Sequence, residues 1–251
     1  MSILEKSNRN GIEKRIRVGK RLLAAAEYVA VSSAVGSNGE KVCADIGCDH
    51  GYLSIHLVEK GICDKVYACD VNEKPINTAR NNIRQRDGKD GKLSEKIELR
   101  LTDGLSGLTD LGINHIIICG MGGELIAQII DKGSTFWKTG IKFILQPMSG
   151  EMELREWLCD NGFEIEDETL LRDCGRIYTV MCVVYTGEKS SFSPSEFMLG
   201  KHNIQKGTEL LYELCERKLV HAKNLLKQPE YTERDILLEK ELSAILESFE
   251  R

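Results

Sequence analysis

The stretch "DIGCDHGY", residues 45–52, closes an apolar run (Val42, Cys43, Ala44) and leads straight into a helix-like segment at 51–60. Glycine after a strand lets the backbone turn sharply and lets a ligand come close, and the helix start that follows offers free N–H groups. Gly47 and Gly51 give this turn that layout, but the G-x-G-x-x-G spacing of a dinucleotide loop is missing. Asp49 and His50 stand where small residues would be cheapest. A carboxylate beside the turn opposes a pyrophosphate, which argues against NAD and ATP.

Working outward, apolar and polar residues alternate in blocks that predict strands at 41–46, 65–70, 97–102, 114–119 and 141–146. Helices are predicted at 51–60, 74–86, 123–131 and 150–160. Strands alternating with helices of that length form βαβ units, hence an α/β chain with a parallel sheet covered on both faces. "NGFEIEDETLLRD" (161–173) and "GRIYTVMCVVYTG" (175–187) read as two longer strands joined at "DCG" (173–175), an antiparallel hairpin at the edge of the sheet. An amphipathic basic helix from residue 12 to near 36–39 precedes all of this. "TGEKSSFSPS" (186–195) marks a boundary, giving units 1–188 and 189–251. Beyond it, 196–227 and 231–249 read as two helices of opposite net charge broken at "QPE", an α-helical hairpin.

In open α/β sheets, ligands bind outside the carboxyl ends of the strands. Four such ends carry polar or glycine residues here. The first offers Asp45, Gly47, Cys48, Asp49, His50 and Gly51; the second Asp70 and Val71; the third Asp103 and Gly104; the fourth Gly120, Met121, Gly122 and Gly123. Acids at three successive ends suit a sulfonium cation with an amino-acid tail. The expected cofactor is therefore S-adenosyl-L-methionine, with Asp70 for the ribose hydroxyls and Asp103 for the adenine amino group.

Composition narrows the class. Of 251 residues 41% are hydrophobic and 29% charged, as in an ordinary soluble domain, and no apolar run nears the roughly 20 residues that span a bilayer. The charged N-terminus lacks a signal-peptide core, so the expectation is a cytoplasmic protein, not held at a membrane. Nine cysteines form no C-x-x-C pair, so reduced packing thiols, and no metal site, are expected. The net charge of -5 conceals a basic start: residues 1–21 hold seven Lys or Arg against two Glu.

The chain resembles the bacterial TrmK family, through "ADIGCDHGYL" (44–53), "DG" (103–104), "CGMGGELI" (119–126), "ILQPM" (144–148) with "LREWL" (154–158), and "GKRLLAAAEYV" (19–29). The resemblance implies a class I methyltransferase, Rossmann-like sheet, mostly parallel with an antiparallel last strand, and methylation of N1 of adenine 22 in tRNA. Met148 stands where that family usually has Asn, and Asp70 where its second strand ends in a glutamate-containing version. Adenine N1 carries a lone pair and no proton, so no general base is needed; alignment and stabilisation of the cationic product are the enzyme's tasks. The residues expected to carry this are Gly120 and Met121 as a platform, Gln146 as a hydrogen-bond partner, and Asp45 as a source of negative potential. His50 is expected to orient rather than react, Asp49 to cap the helix at 51–60, and Tyr28 is a stacking candidate. The expected tRNA contacts are Arg15, Arg17, Lys20 and Arg21, then Lys218, Lys223 and Lys227. No obligatory protein partner is evident. Two other readings stay open: a small-molecule methyltransferase, and a non-catalytic RNA-binding protein that uses the cofactor as a structural ligand.

Overall fold

The computed structural model describes residues 18–87 and 91–249. In chain order the elements are α1 (Lys20–Val31), β1 (Val42–Ile46), α2 (Tyr52–Glu59), β2 (Lys65–Asp70), α3 (Glu73–Asp87), α4 (Lys92–Lys96), β3 (Ile97–Leu101), β4 (His115–Met121) and α5 (Gly123–Lys132). A short 3₁₀ turn follows, then β5 (Lys142–Pro147), α6 (Glu151–Asp160), β6 (Phe163–Asp173), β7 (Arg176–Tyr185), α7 (Pro194–Leu199), α8 (Lys201–Lys206), α9 (Glu209–Leu225) and α10 (Glu233–Phe249).

One seven-stranded sheet has the order β3-β2-β1-β4-β5-β7-β6. β1 to β5 pair in parallel, and β7 runs antiparallel to both its neighbours. All five residues of β1 are buried, because helices cover both faces and the strand therefore reads as a continuous apolar run rather than an alternating one. The period of two still sorts them. Val42, Ala44 and Ile46 join Ile116 and Ile118 of β4 in the core under α5 and α6. Cys43 and Ile117 face the opposite core with Ala25 and Val29 of α1, Leu53 and Leu57 of α2, and Ile76 and Ile83 of α3. Asp45 shares the Cys43 face.

After β1 the chain steps outward through β2 and β3, then returns to place β4 on the other side of β1. That reversal opens a crevice at the carboxyl ends of β1 and β4.

Four local outcomes differ from the sequence expectation. The N-terminal helix, as far as it is described, ends at Val31, where Lys41 Nζ donates to the carbonyls of Val29 (2.7 Å) and Ser32 (2.9 Å) and satisfies acceptors that a helix end leaves open. A short helix, α4, precedes β3. The fourth strand runs on to Met121 through an irregularity between Cys119 and Met121. The segment expected as one helix at 196–227 is three, α7, α8 and α9, because Gly200 (φ +94°) and Gly207 (φ +56°) leave helical geometry and Thr208 caps a new start.

The C-terminal helices carry a small core of their own, Leu199, Leu211, Cys215, Leu238 and Leu242. They meet the sheet through Arg155 of α6, which is 1% exposed. Its Nη1 donates to the Phe197 carbonyl at 2.9 Å, and its Nε and Nη2 donate to Glu168 Oε2 of β6 at 3.0 and 2.8 Å.

Candidate active site

Asp45 is the charged group nearest the sheet's centre, 3% exposed on β1. Ser54 Oγ donates to its Oδ2 at 2.6 Å. Burial pushes the Asp45 carboxyl up to about 6; hydrogen bonds from the Ser54 hydroxyl and amide pull the other way, and neighbouring Asp70 adds to the rise. A carboxylate so placed favours a cation beside it. Ser54 was absent from the sequence reading, although it is the lone hydroxyl among the buried residues of α2.

The turn after β1 is held by two amides: Gly47 N and Cys48 N both donate to Cys69 O at the end of β2, at 2.9 and 2.8 Å. Three of its residues lie at positive φ, Gly47 (+77°), Asp49 (+49°) and Gly51 (+71°). Asp tolerates this left-handed geometry better than most side chains. Gly51, not Asp49, is the N-cap of α2 and has no side chain to lend it, while the Asp45 carboxylate takes up the Ser54 amide of its first turn. The cap expected of Asp49 is thus corrected: the left-handed turn carries its carboxylate outward, 3.5 Å from His50 Nε2, with both side chains substantially exposed. The Tyr52 and Leu53 amides keep the donor character of an uncapped helix start.

At the end of β4, Gly120 (φ +79°) sits in the register shift between Cys119 and Met121. Bulges of this kind redirect a strand end beside a site. A methyl on Gly120 would meet open space, whereas one on Gly123 would come 2.3 Å from Gly150 O. The "GMGG" glycines therefore do different work: Gly120 faces the crevice, and Gly123 lets α5 pack against the start of α6. Met121 lies behind the turn, its Cε 2.2 Å from where a Gly47 Cβ would stand. Gly122 precedes α5 as its N-cap.

These ends surround a cavity of about 480 Å³. Its wall includes Asp45, Gly47, Cys48, Asp49, His50, Tyr52, Leu53, Cys119, Gly120, Gln146 and Met148, closed on one side by Gly19, Arg21 and Leu22 of the N-terminal segment. Gln146 is fully buried at the end of β5. Burial pushes the Cys48 and Cys119 thiols far up, which favours their protonated form.

Arg21, expected among surface phosphate contacts, is placed in this wall. Its Nε donates to Asp173 Oδ2 at 3.2 Å, its Nη1 donates to Gln146 Oε1 at 3.3 Å and lies against Met148 Sδ, and its guanidinium stacks over Tyr178 at 5.0 Å. Asp173 and Tyr178, on the β6–β7 hairpin, were not anticipated. They lie 152 and 157 positions from Arg21 in the chain, a separation that leaves no local signal.

The remaining candidates are not among the residues that line this cavity. Asp70 ends β2, its Oδ1 accepting from Asn72 N at 2.9 Å, and its carbonyl accepts from Thr102 N at 2.9 Å, tying the second strand end to the third. Val71 is exposed beside it. Asp103 is exposed and 3.7 Å from Lys132 Nζ, and Gly104 packs on Ile129. Tyr28 donates to Asp167 Oδ2 at 3.2 Å on the β6 side. Lys20 is exposed. Lys223 pairs with Glu239 of α10 at 3.9 Å, Lys227 donates to Asn224 Oδ1 at 3.0 Å, and Lys218 is half-buried on α9. Arg15 and Arg17 lie outside the described residues. Among the described residues no three His, Cys, Asp or Glu side chains are grouped to hold a metal ion.

The donor set fits a ligand bearing both charges: a buried carboxylate for a cation and uncapped helix amides for a carboxylate. The amino-acid end of S-adenosylmethionine presents both.

Residues 19–181 match the methyltransferase domain family. The tRNA (adenine(22)-N(1))-methyltransferase of Bacillus subtilis is 32% identical over 176 residues, 70% of this chain and 68% of that protein. The crystal structure of the B. subtilis m1A22 tRNA methyltransferase TrmK superposes with a TM-score of 0.71 at 26% identity, covering 93% of this chain and 97% of that one. Sp1610 of Streptococcus pneumoniae, solved in complex with S-adenosyl-L-methionine, gives a TM-score of 0.73 at 29% identity over 92% of this chain and all of that one.

Proposed function

The chain belongs to the tRNA (adenine(22)-N(1))-methyltransferase family, and from that membership we propose how its own residues perform the reaction: transfer of a methyl group from S-adenosyl-L-methionine to N1 of adenine 22 in tRNA. The single observation that carries the reading is the enclosed Asp45 at the switch point between β1 and β4, in a cavity whose wall also offers the uncapped start of α2.

Bound S-adenosylmethionine supplies a methyl group made electrophilic by its sulfonium. Asp45 would hold the positive end of the cofactor, the Tyr52 and Leu53 amides its carboxylate, Asp70 its ribose, and Asp103 with Val71 its adenine. Because adenine N1 bears no proton, no residue has to act as a base, which agrees with a wall whose thiols are protonated. What the protein contributes is alignment and charge. Gly120 leaves room for a flat ring to approach, Gln146, whose Oε1 accepts from Arg21 and whose Nε2 donates to Pro147 O, has one Nε2 hydrogen left for it, and the carboxylates of Asp45 and Asp49 offset the positive charge the ring acquires. The adenine has to leave its stack to enter, as bases do in other base-modifying enzymes. The division at residue 188 belongs to the same reading, with the methyltransferase unit before it and the helical hairpin after.

The test is to incubate the protein with radiolabelled S-adenosylmethionine and unmodified tRNA and to map the labelled nucleoside. Label in 1-methyladenosine at position 22 is expected; label at another position, or none, defeats the proposal.

A further inference from the structure

Among the described residues lining the cavity, Arg21 is the one Lys or Arg, against the carboxylates of Asp45 and Asp49. It is also restrained as few surface arginines are: Asp173 fixes Nε, Gln146 and Met148 fix Nη1, and the Tyr178 ring supports the plane of the guanidinium. Nη2 has no partner among the described residues. The side chain is about one-third exposed and lines the cavity, and Nη2 is the donor its partners leave unused. Arginine presents its donors as a rigid fork and accepts nothing, a geometry suited to phosphate oxygens.

Resting on the function proposed above, we propose that Arg21 grips the phosphodiester next to the target adenosine and so fixes the depth at which the base enters the cavity. The base itself is the poorer partner. Methylated at N1 it becomes a cation, and a guanidinium against it would oppose the transition state, whereas a phosphate entering a wall with two carboxylates needs a fixed positive group. Asp173 has a defined part in this: it orients the fork and partly offsets its charge toward the ring.

The proposal is tested with full-length tRNA made by ligation, carrying either the natural linkage or a neutral methylphosphonate adjacent to adenosine 22. With the wild-type enzyme the neutral linkage is expected to lower kcat/KM about 10- to 100-fold, the range of one charge-assisted contact. Arg21→Met should lose a similar factor on natural tRNA and show no further loss with the methylphosphonate, while binding S-adenosylmethionine, by calorimetry, within about 3-fold of wild type. Arg21→Lys should recover part of the activity. Asp173→Ala, which leaves the Arg21 charge in place but removes the acceptor that orients its fork, should lower kcat/KM yet stay sensitive to the linkage. An equal methylphosphonate penalty in wild type and Arg21→Met overturns the proposal. So does a loss of cofactor affinity in Arg21→Met as large as its loss of activity, which would give Arg21 to the cofactor. A wild-type enzyme that leaves natural tRNA unmethylated at adenosine 22 defeats the functional reading itself, and this proposal with it.

Discussion

Arg155 of α6 and Glu168 of β6 form an ion pair closed off from solvent, Nη2 to Oε2 at 2.8 Å with side-chain exposures of 1% and 0%. Glu168 Oε1 has no partner among the described residues, and Gly200 passes so close that a Cβ there would stand 2.2 Å from it. The pair lies where the C-terminal helices meet the sheet, and Arg155 also donates to the Phe197 carbonyl.

Removing one partner leaves a buried charge uncompensated. Arg155→Met is expected to cost about 3–5 kcal/mol in urea unfolding, and Arg155→Met with Glu168→Met to recover most of it, because two apolar side chains remove both desolvation costs. A double variant no more stable than the single one would contradict this.

Asp45 sets function against stability. Its carboxyl rises from 3.8 unfolded to about 6 folded, so the folded protein binds the proton more tightly. Without cofactor, the contribution of Asp45 to stability should therefore fall by about 3 kcal/mol as pH rises from about 4 to about 6, read as the difference between wild type and Asp45→Asn. Asp45→Asn should remove that slope, raise stability at pH 7.5, and weaken S-adenosylmethionine binding at least 10-fold. In the wild type, affinity for the cofactor should decline as pH drops through about 6. Thermal melts across pH 4–8 and calorimetry across pH 5–8 check both signs.

Two glycines three residues apart should fail differently. Gly120→Ala meets no atom but keeps a positive φ, so its expected cost is about 1–2 kcal/mol, with methyl transfer falling far more than stability because the new methyl stands at the cavity wall. Gly123→Ala would force a contact with Gly150 O, and its expected cost is about 1–3 kcal/mol or more through displacement of α5 from α6. Melting temperature and kcat, measured side by side, separate them.

Arg15 and Arg17 belong to the basic N-terminal run and lie outside the described residues. Replacing both with Ala is expected to weaken tRNA binding, lower the salt dependence of log K by about 2, and leave cofactor affinity unchanged. Equal losses of tRNA and cofactor binding would indicate damage to the fold instead.

The order of strands through β5, the helices between them apart from α4, and the edge hairpin were legible in the sequence. Each rests on local physics: a period of two or 3.6, and glycine where the chain must turn. "DIGCDHGY" by itself marked the turn that the cavity now borders. What it could not reveal is how the residues divide the work, because burial and long-range contact decide that. Asp45 becomes a raised, enclosed acid only when α1 and α2 cover its face of β1. Asp49 yields the cap position because the turn goes left-handed through it, and the four residues of "GMGG" separate into a cavity wall and a helix-packing contact only once β5 and α6 are in place. Arg21 reads as one more charge in a basic run until the β6–β7 hairpin brings Asp173 and Tyr178 against it, more than 150 positions away. No pattern within a single helix or strand encodes that contact.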